Sequence, residues 1–313
     1  MPTYLVTGGA GFIGSHIAEA LAARGDEVRV FDALTTGKAS NLAEFQHRVT
    51  LIQGDICDAK ALGEAMQGVD CVFHQAAIAS VPYSVEKPLE VHAACVTGTL
   101  NVLHLARQNG VRRVVYAASS AAYGDRPASS KRESDLPQPL SPYAAAKLAA
   151  ELYCEAFYHT YGLETVALRY FNIFGPRQDP HGPYSAVIPL FVTRLLACDR
   201  PVIYGDGLQS RDFCYVANVV HANLLASTAP QAVGRVINIA NGRSTSLVEL
   251  ISLLNEILGT DVSPVHEPPR IGDVRDSMAD ITLARQLLGY DPLVGMEEGL
   301  RRSVDYYRSV IKS

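Results

Sequence analysis

With 313 residues, a net charge of −5, 48% hydrophobic and 19% charged residues, the chain reads as a globular enzyme and not as a disordered segment. Its length can bury a large core, in one large lobe or two unequal ones. The negative balance without a basic block argues against a nucleic-acid groove, and no apolar run approaches the roughly 20 residues of a membrane span. Six cysteines are scattered singly and nine histidines do not cluster, so no metal site is expected and a reduced, cytoplasmic thiol pool is favoured.

The first buried strand, "TYLVTGG", begins at residue 3, which as read leaves no room for a signal peptide. "YLVTG", "EVRVFD", "VTLIQGD", "CVFHQA", "RVVYAAS" and "TVALRYFN" follow one another as Val- and Leu-rich strands. Between them, residues 12–24, 58–67, 89–109 and 142–161 carry helical spacing. Such alternation predicts right-handed β-α-β units and a doubly wound parallel sheet covered on both faces. From about residue 173 the texture changes to Gly and Pro, in "GPRQDPHGPY", "YGDG" and "EPPRIGD". "RVINIAN" (235–241) reads as a strand that rejoins the first sheet, and the tail, 281–312, as helical. The expected fold is therefore α/β, a doubly wound sheet with a smaller α/β substrate-binding lobe. The dinucleotide domain is placed at 1–172 plus about 213–241, and the smaller lobe at about 173–212 and 242–313.

"TGGAGFIG" places Gly8, Gly11 and Gly14 directly after a strand and at the opening of a helix. Such a turn brings backbone N–H groups and a helix N-terminus up to a pyrophosphate. Asp32 ends the second strand 18 residues beyond Gly14, where a carboxylate accepts from both adenosine ribose hydroxyls and repels a 2′-phosphate; NAD is favoured over NADP. Asp55 is placed to meet adenine, and Ala76 and Ala77 leave backbone space for the second ribose. Tyr143 and Lys147, four apart on one helix, share a face. A phenol with a pKa near ~10 is a poor base at neutral pH; an adjacent ammonium and the positive nicotinamide ring would pull it down. Lys147 can also bond the nicotinamide ribose. Ser119 and Ser120 end the fifth strand, at the carboxyl edge where such folds bind ligands. Ser119 is the main proton-sharing partner; Ser120 is an auxiliary, or else satisfies backbone groups at the strand end.

Over essentially its whole length the chain resembles the nucleotide-sugar branch of the extended short-chain dehydrogenases, a Rossmann family. "TGGAGFIGSH", "SSAAYGD", "SPYAAAK", "LRYFNIFGPRQDP", "AVIP", "GDGLQSRDFCYV" and "EPPRIGDVRDSMAD" carry the resemblance. Dehydrating or decarboxylating relatives place an acid before the Tyr-Gly pair, where this chain has Ala121. The pattern resembles UDP-hexose 4-epimerases, which oxidise C4 transiently with bound NAD and need no such acid. The resemblance implies cofactor contacts also from Phe12, Ile13, Lys38 and Ile56. It implies UDP-sugar contacts from Ser80, Val187, Asn172, Arg211 and Arg270, the last three on phosphate, where each Arg can instead be a surface ion pair. Asp273 would take the uridine ribose, and the 187–204 segment with Tyr204 would frame uracil. Ser277 stands where enzymes restricted to UDP-glucose and UDP-galactose have tyrosine. This leaves volume for a 2-acetamido group, and "GDVRDSMADI" and "GPRQDPHGPYSAVIP" most resemble bacterial UDP-N-acetylglucosamine 4-epimerases. The resemblance implies UDP-GlcNAc/UDP-GalNAc interconversion with activity on UDP-Glc/UDP-Gal, the alternative being a UDP-glucuronate 4-epimerase or another NAD-dependent nucleotide-sugar-modifying enzyme. One departure is Cys95, where the family commonly has asparagine. A homodimer through helices 89–109 and 142–161 is expected.

Overall fold

The computed structural model describes residues 1–125, 130–180, 185–269 and 275–311. β1 (Thr3–Thr7) is buried along its whole length and leads through a glycine turn into α1 (Phe12–Ala23). β2 (Glu27–Asp32), β3 (Val49–Gln53), α2 (Ala59–Ala65) and β4 (Cys71–His74) follow. Two short helices, α3 (Val81–Glu86) and α4 (Pro88–His92), precede a wide π-turn at Ala93–Thr97 and α5 (Gly98–Gln108). The single helix expected over 89–109 is thus interrupted. Thr99 Oγ1 donates to the Cys95 carbonyl at 2.7 Å, giving that carbonyl a side-chain partner inside the turn. β5 (Arg113–Ser119) comes next, followed by α6 (Pro142–Tyr161) and β6 (Glu164–Tyr170).

The remaining elements are β7 (Ile173–Phe174), α7 (Val187–Leu196), β8 (Val202–Tyr204), β9 (Ser210–Arg211), β10 (Cys214–Tyr215) and α8 (Val216–Ala226). After them come β11 (Arg235–Ile239), β12 (Thr245–Ser246), α9 (Leu247–Leu258), β13 (Val265–Glu267), β14 (Asp276–Ser277), α10 (Thr282–Leu288) and α11 (Met296–Ile311). The tail is two helices, because Gly289 takes the left-handed conformation (φ 65°) that closes α10 and Pro292 follows it.

The main sheet has the order β11-β6-β5-β4-β1-β2-β3, and every pairing in it is parallel. The order reverses between β1 and β4, the crevice where such sheets bind ligands. Alternate side chains feed two cores. Tyr4 and Val6 pack with Ile17 and Leu21 of α1 and Val219 of α8; Leu5 packs on the other face with Leu103 and Phe157. Burying a side chain of this size contributes roughly 1.5–3 kcal/mol. A third core joins Phe174, Phe191, Leu250, Leu300 and Tyr307. Beside it, β9 lies between β12 and β14, and β8 pairs with β13. Among the described residues no helix is long and apolar enough to cross a membrane.

Candidate active site

Gly8 has φ +67°, and a Cβ on it would stand 2.6 Å from the Ala76 nitrogen. The turn therefore lies directly against the end of β4. A Cβ on Gly14 would overlap the Gly8 carbonyl. Gly11 is the N-cap of α1 and offers no side chain to the first-turn N–H groups, which include Phe12 and Ile13. A helix start with uncapped donors over a glycine turn suits a pyrophosphate. Asp32 is buried; its carboxylate accepts the Ala10 N–H at 2.9 Å and the Leu34 N–H at 2.8 Å. This role in fixing the turn was not visible in the sequence. Lys38 donates its N–H to the Ala10 carbonyl at 2.9 Å, while its Nζ lies 3.1 Å from Asp179. The Asp55 carboxylate accepts the Cys57 N–H at 2.8 Å, and Ile56 is buried beside it. Ala76 and Ala77 are half-buried at the end of β4. These groups fit a dinucleotide laid across the crevice.

α6 starts cleanly because Ser141 caps it through the Ala144 N–H at 3.1 Å and Pro142 occupies its first turn. Such a cap is worth about 0.5–2 kcal/mol. It holds Tyr143 and Lys147 one turn apart against β5. The Ser119 hydroxyl accepts the Ala121 N–H at 3.2 Å and stands close enough to the Tyr143 phenol to favour its ionised form. Lys147 is buried; its Nζ donates to the Ala117 carbonyl at 2.8 Å and lies 5.0 Å from the centre of the Tyr116 ring. Burial pushes the Tyr143 phenol up to about 12, the nearby Ser119 hydroxyl working against it, and burial lowers the Lys147 ammonium. The expected lowering belongs to the ammonium together with the nicotinamide ring; in the protein alone burial holds the phenol up, and the ammonium donates to a carbonyl. Ser120 opens a short turn, Ser120–Tyr123, just beyond Ser119. Ser80 caps α3, accepting the Tyr83 N–H at 3.2 Å; Tyr83, Tyr143 and Cys95 share one small apolar cluster.

A separate cleft of about 310 Å³ opens beyond the carboxyl end of β6. Asn172, Val187, Tyr204 and Arg211, far apart in sequence, all line it, together with Gln209 and Phe213. Asn172 has φ 38°, a conformation asparagine tolerates, and donates to the Asp212 carbonyl at 3.2 Å. Arg211 is steadied by the Ser210 and Arg275 carbonyls at 2.9 and 3.2 Å. Ser277 does not line this cleft. It sits on β14 in register with Arg211 on β9, half-buried, and its carbonyl accepts the Asp212 N–H at 2.6 Å. Arg270 and Asp273 lie outside the described residues. The sequence reading missed Asp212, whose buried carboxylate accepts the N–H groups of Asn241, Gly242 and Ala279. Burial pushes it up to about 7 against those donors. Its place directly after Arg211 was the one available signal.

Fold and site together define a dinucleotide-dependent enzyme of the doubly wound α/β class. The model of the NAD dependent epimerase/dehydratase family matches residues 4–240. A UDP-glucose 4-epimerase of Thermotoga maritima, solved with UDP-glucose, is 40% identical with a TM-score of 0.94, covering 99% of each chain. A UDP-N-acetylglucosamine 4-epimerase of Methanobrevibacter ruminantium, solved with UDP-N-acetylmuramic acid, is 40% identical with a TM-score of 0.95, again covering 99% of each. A Thermus thermophilus UDP-glucose 4-epimerase solved with NAD is 38% identical with a TM-score of 0.89, covering 98% of this chain and 99% of that one. The chain belongs to the NAD-dependent epimerase/dehydratase family, among its UDP-sugar 4-epimerases, and is an enzyme whose cofactor is NAD.

Proposed function

We propose that the protein inverts C4 of UDP-hexoses, taking UDP-GlcNAc/UDP-GalNAc and also UDP-Glc/UDP-Gal. One observation carries the chemistry: the Tyr143 phenol and the Ser119 hydroxyl are brought together at the carboxyl edge of β5, while Ala121, two residues beyond Ser119, brings a methyl and no carboxyl. Simple oxidation and re-reduction needs no further acid. The dinucleotide supplies a reversible hydride acceptor, so C4 can become a ketone and be re-reduced on its other face with nothing consumed. Gly8, Gly11, Phe12, Ile13 and Gly14 would hold its pyrophosphate. Asp32 and Lys38 would hold the adenosine ribose end, Asp55 and Ile56 the adenine, and Ala76, Ala77, Tyr143 and Lys147 the nicotinamide side.

Tyr143 Oη takes the C4 hydroxyl proton, with Ser119 and then Ser120 sharing it, and returns it when C4 is reduced. Bound beside Tyr143, an oxidised nicotinamide would add a positive charge favouring the phenolate against the burial that raises it. Asn172 and Arg211 hold the diphosphate, Val187 and Tyr204 frame the base, and Ser80 meets the sugar. The hexose stays loose enough to turn over. The half-buried Ser277 beside Arg211 supports room for an acetamido group. We assign cofactor binding to 1–172 plus about 213–241 and sugar-nucleotide binding to about 173–212 and 242–313. Leu152 and Tyr153 are exposed on α6, which supports a homodimer through α5 and α6. All six cysteines are free thiols, which supports a reducing compartment, the cytoplasm.

The test is to incubate purified protein with each UDP-hexose, with and without added NAD, and resolve the epimers by chromatography. Interconversion of both acetamido and plain pairs is expected. Turnover of UDP-glucuronate alone would replace the substrate assignment, and inertness toward every UDP-hexose would end the reading.

A further inference from the structure

Behind Lys147 runs a buried hydrogen-bond chain that the proton transfer above does not use. Thr7 ends β1, His74 ends β4 and Thr99 stands in the first turn of α5. All three are buried. His74 Nδ1 lies 2.7 Å from Thr7 Oγ1, and His74 Nε2 lies 2.9 Å from Thr99 Oγ1.

The Thr99 end fixes the tautomer. The Thr99 hydroxyl donates its one proton to the Cys95 carbonyl at 2.7 Å, so toward His74 it can only accept, and Nε2 carries a hydrogen. At the other end Thr7 Oγ1 accepts the Ala76 N–H at 3.5 Å and faces Nδ1. In the neutral ring that burial favours, Nδ1 carries no hydrogen and accepts the Thr7 proton. A second ring proton would make Nδ1 a donor facing Thr7. It would also set a second cation behind the Tyr116 ring, which lies 5.6 Å from the His74 ring and 5.0 Å from Lys147 Nζ. Burial first, then the charge of Lys147, hold the imidazole down at about 3.

What the chain connects gives it a purpose. Ala76 stands against Gly8 in the dinucleotide turn. Cys95 is the middle of the π-turn Ala93–Thr97 and packs in one cluster with Tyr143 and Ala146 of α6. We propose that His74, locked as the Nε2–H tautomer between Thr7 and Thr99, is a positioning residue that sets the cofactor turn at Ala76 and the π-turn at Cys95 to one spacing across the Tyr143–Lys147 site. This rests on the reading of Tyr143 and Lys147 as the groups that serve the reaction. It also accounts for the tolerance of a cysteine at 95: the chain uses its backbone carbonyl and not its side chain.

Nitrogen-15 spectra of histidine-labelled holoenzyme, with the His74 signals assigned by their loss in His74→Asn, should show the Nε2–H form unchanged from about pH 5 to about pH 8. Thr99→Val removes the acceptor. It should lower kcat roughly 10- to 100-fold, as a slightly misplaced site does, while KM for the UDP-hexose stays within about threefold. NAD should leave this variant at least about tenfold faster on dilution, read by the dinucleotide retained after gel filtration. Thr99→Ser, which keeps the hydroxyl, should restore all three. The proposal is overturned if His74 titrates or shows the Nδ1–H form in the unaltered enzyme, if Thr99→Val keeps kcat and NAD retention, or if Thr99→Ser fails to restore them. Should Thr99→Val not fold, the tautomer and the serine variant still decide. Should the enzyme epimerise no UDP-hexose, the Tyr143 reading falls, while the spectra and NAD release still judge the chain.

Discussion

Arg211 and Ser277 stand opposite each other in register on the adjacent parallel strands β9 and β14. Arg211 lines the cleft proposed for the nucleotide, and Ser277, outside that lining, is its small neighbour in register, so a change in bulk at 277 would be felt next to the proposed diphosphate position without altering the arginine. Ser277→Tyr is expected to lower kcat/KM for the acetamido sugars by roughly 10-fold or more, while UDP-Glc and UDP-Gal keep theirs within about threefold. Equal loss on all four in a purified-enzyme assay would remove Ser277 from the specificity argument.

Tyr143→Phe removes the proposed proton acceptor and keeps the ring. Turnover should fall roughly 10²- to 10⁴-fold, the range for one general acid–base group. Ser119→Ala should fall less, because it only shares the proton. Thermal midpoints close to that of the unaltered protein, measured alongside, would show that chemistry and not folding was lost.

Gly14→Ala places a methyl on the Gly8 carbonyl, a backbone atom that cannot swing away. NAD retention after gel filtration should be lost. Gly25→Ala is the control for a strained turn: Gly25 also has positive φ (+83°) but has open space around it. That variant should cost on the order of 1 kcal/mol and keep its NAD.

Acid should destabilise the fold through two histidines. Burial holds His16 at about 4 and His74 at about 3, both below the ordinary value of 6.5. Between 6.5 and those values the unfolded chain binds the proton and the folded one does not, so their stability is present above 6.5 and lost as pH falls. Asp212, raised to about 7, works in the opposite sense, losing stability as pH rises from 3.8. Glu133, also raised by burial, acts with Asp212, and His221, also lowered by burial, acts with the two histidines; three against two leaves a net fall toward acid. His16→Gln should flatten the slope of unfolding free energy between pH 4.5 and 6.5 by about 1 kcal/mol per pH unit. Urea unfolding at several pH values measures it.

Glu151 and Arg169 form a buried two-pronged pair at 2.6 and 2.8 Å, linking α6 to β6. Removing one partner strands the other charge. Glu151→Ala should cost about 3–5 kcal/mol in the same unfolding assay.

Much was legible before any coordinates. The strand–helix alternation announced a parallel sheet because buried strands must be apolar on both faces, and β1 and β5 are. Gly8 and Gly14 could be read from a local turn, and Tyr143 and Lys147 from the helix repeat, since each depends on residues within one element. The interruption at Ala93–Thr97 was not legible: helical spacing of apolar positions continues through it, and the hydroxyl-to-carbonyl bond from Thr99 to Cys95 joins residues at ordinary helical spacing.

Linear order thus determined which elements form, where the dinucleotide turn falls and which helix carries the tyrosine. Only the folded chain decided that Thr7 meets His74 across 67 positions, that Asp32 ties down the glycine turn, and that Asn172, Val187, Tyr204 and Arg211 converge on one cleft. Local periodicity encodes which face of an element is buried. Hydrogen bonds between strand ends are set by sheet order and register, which no short stretch of residues contains.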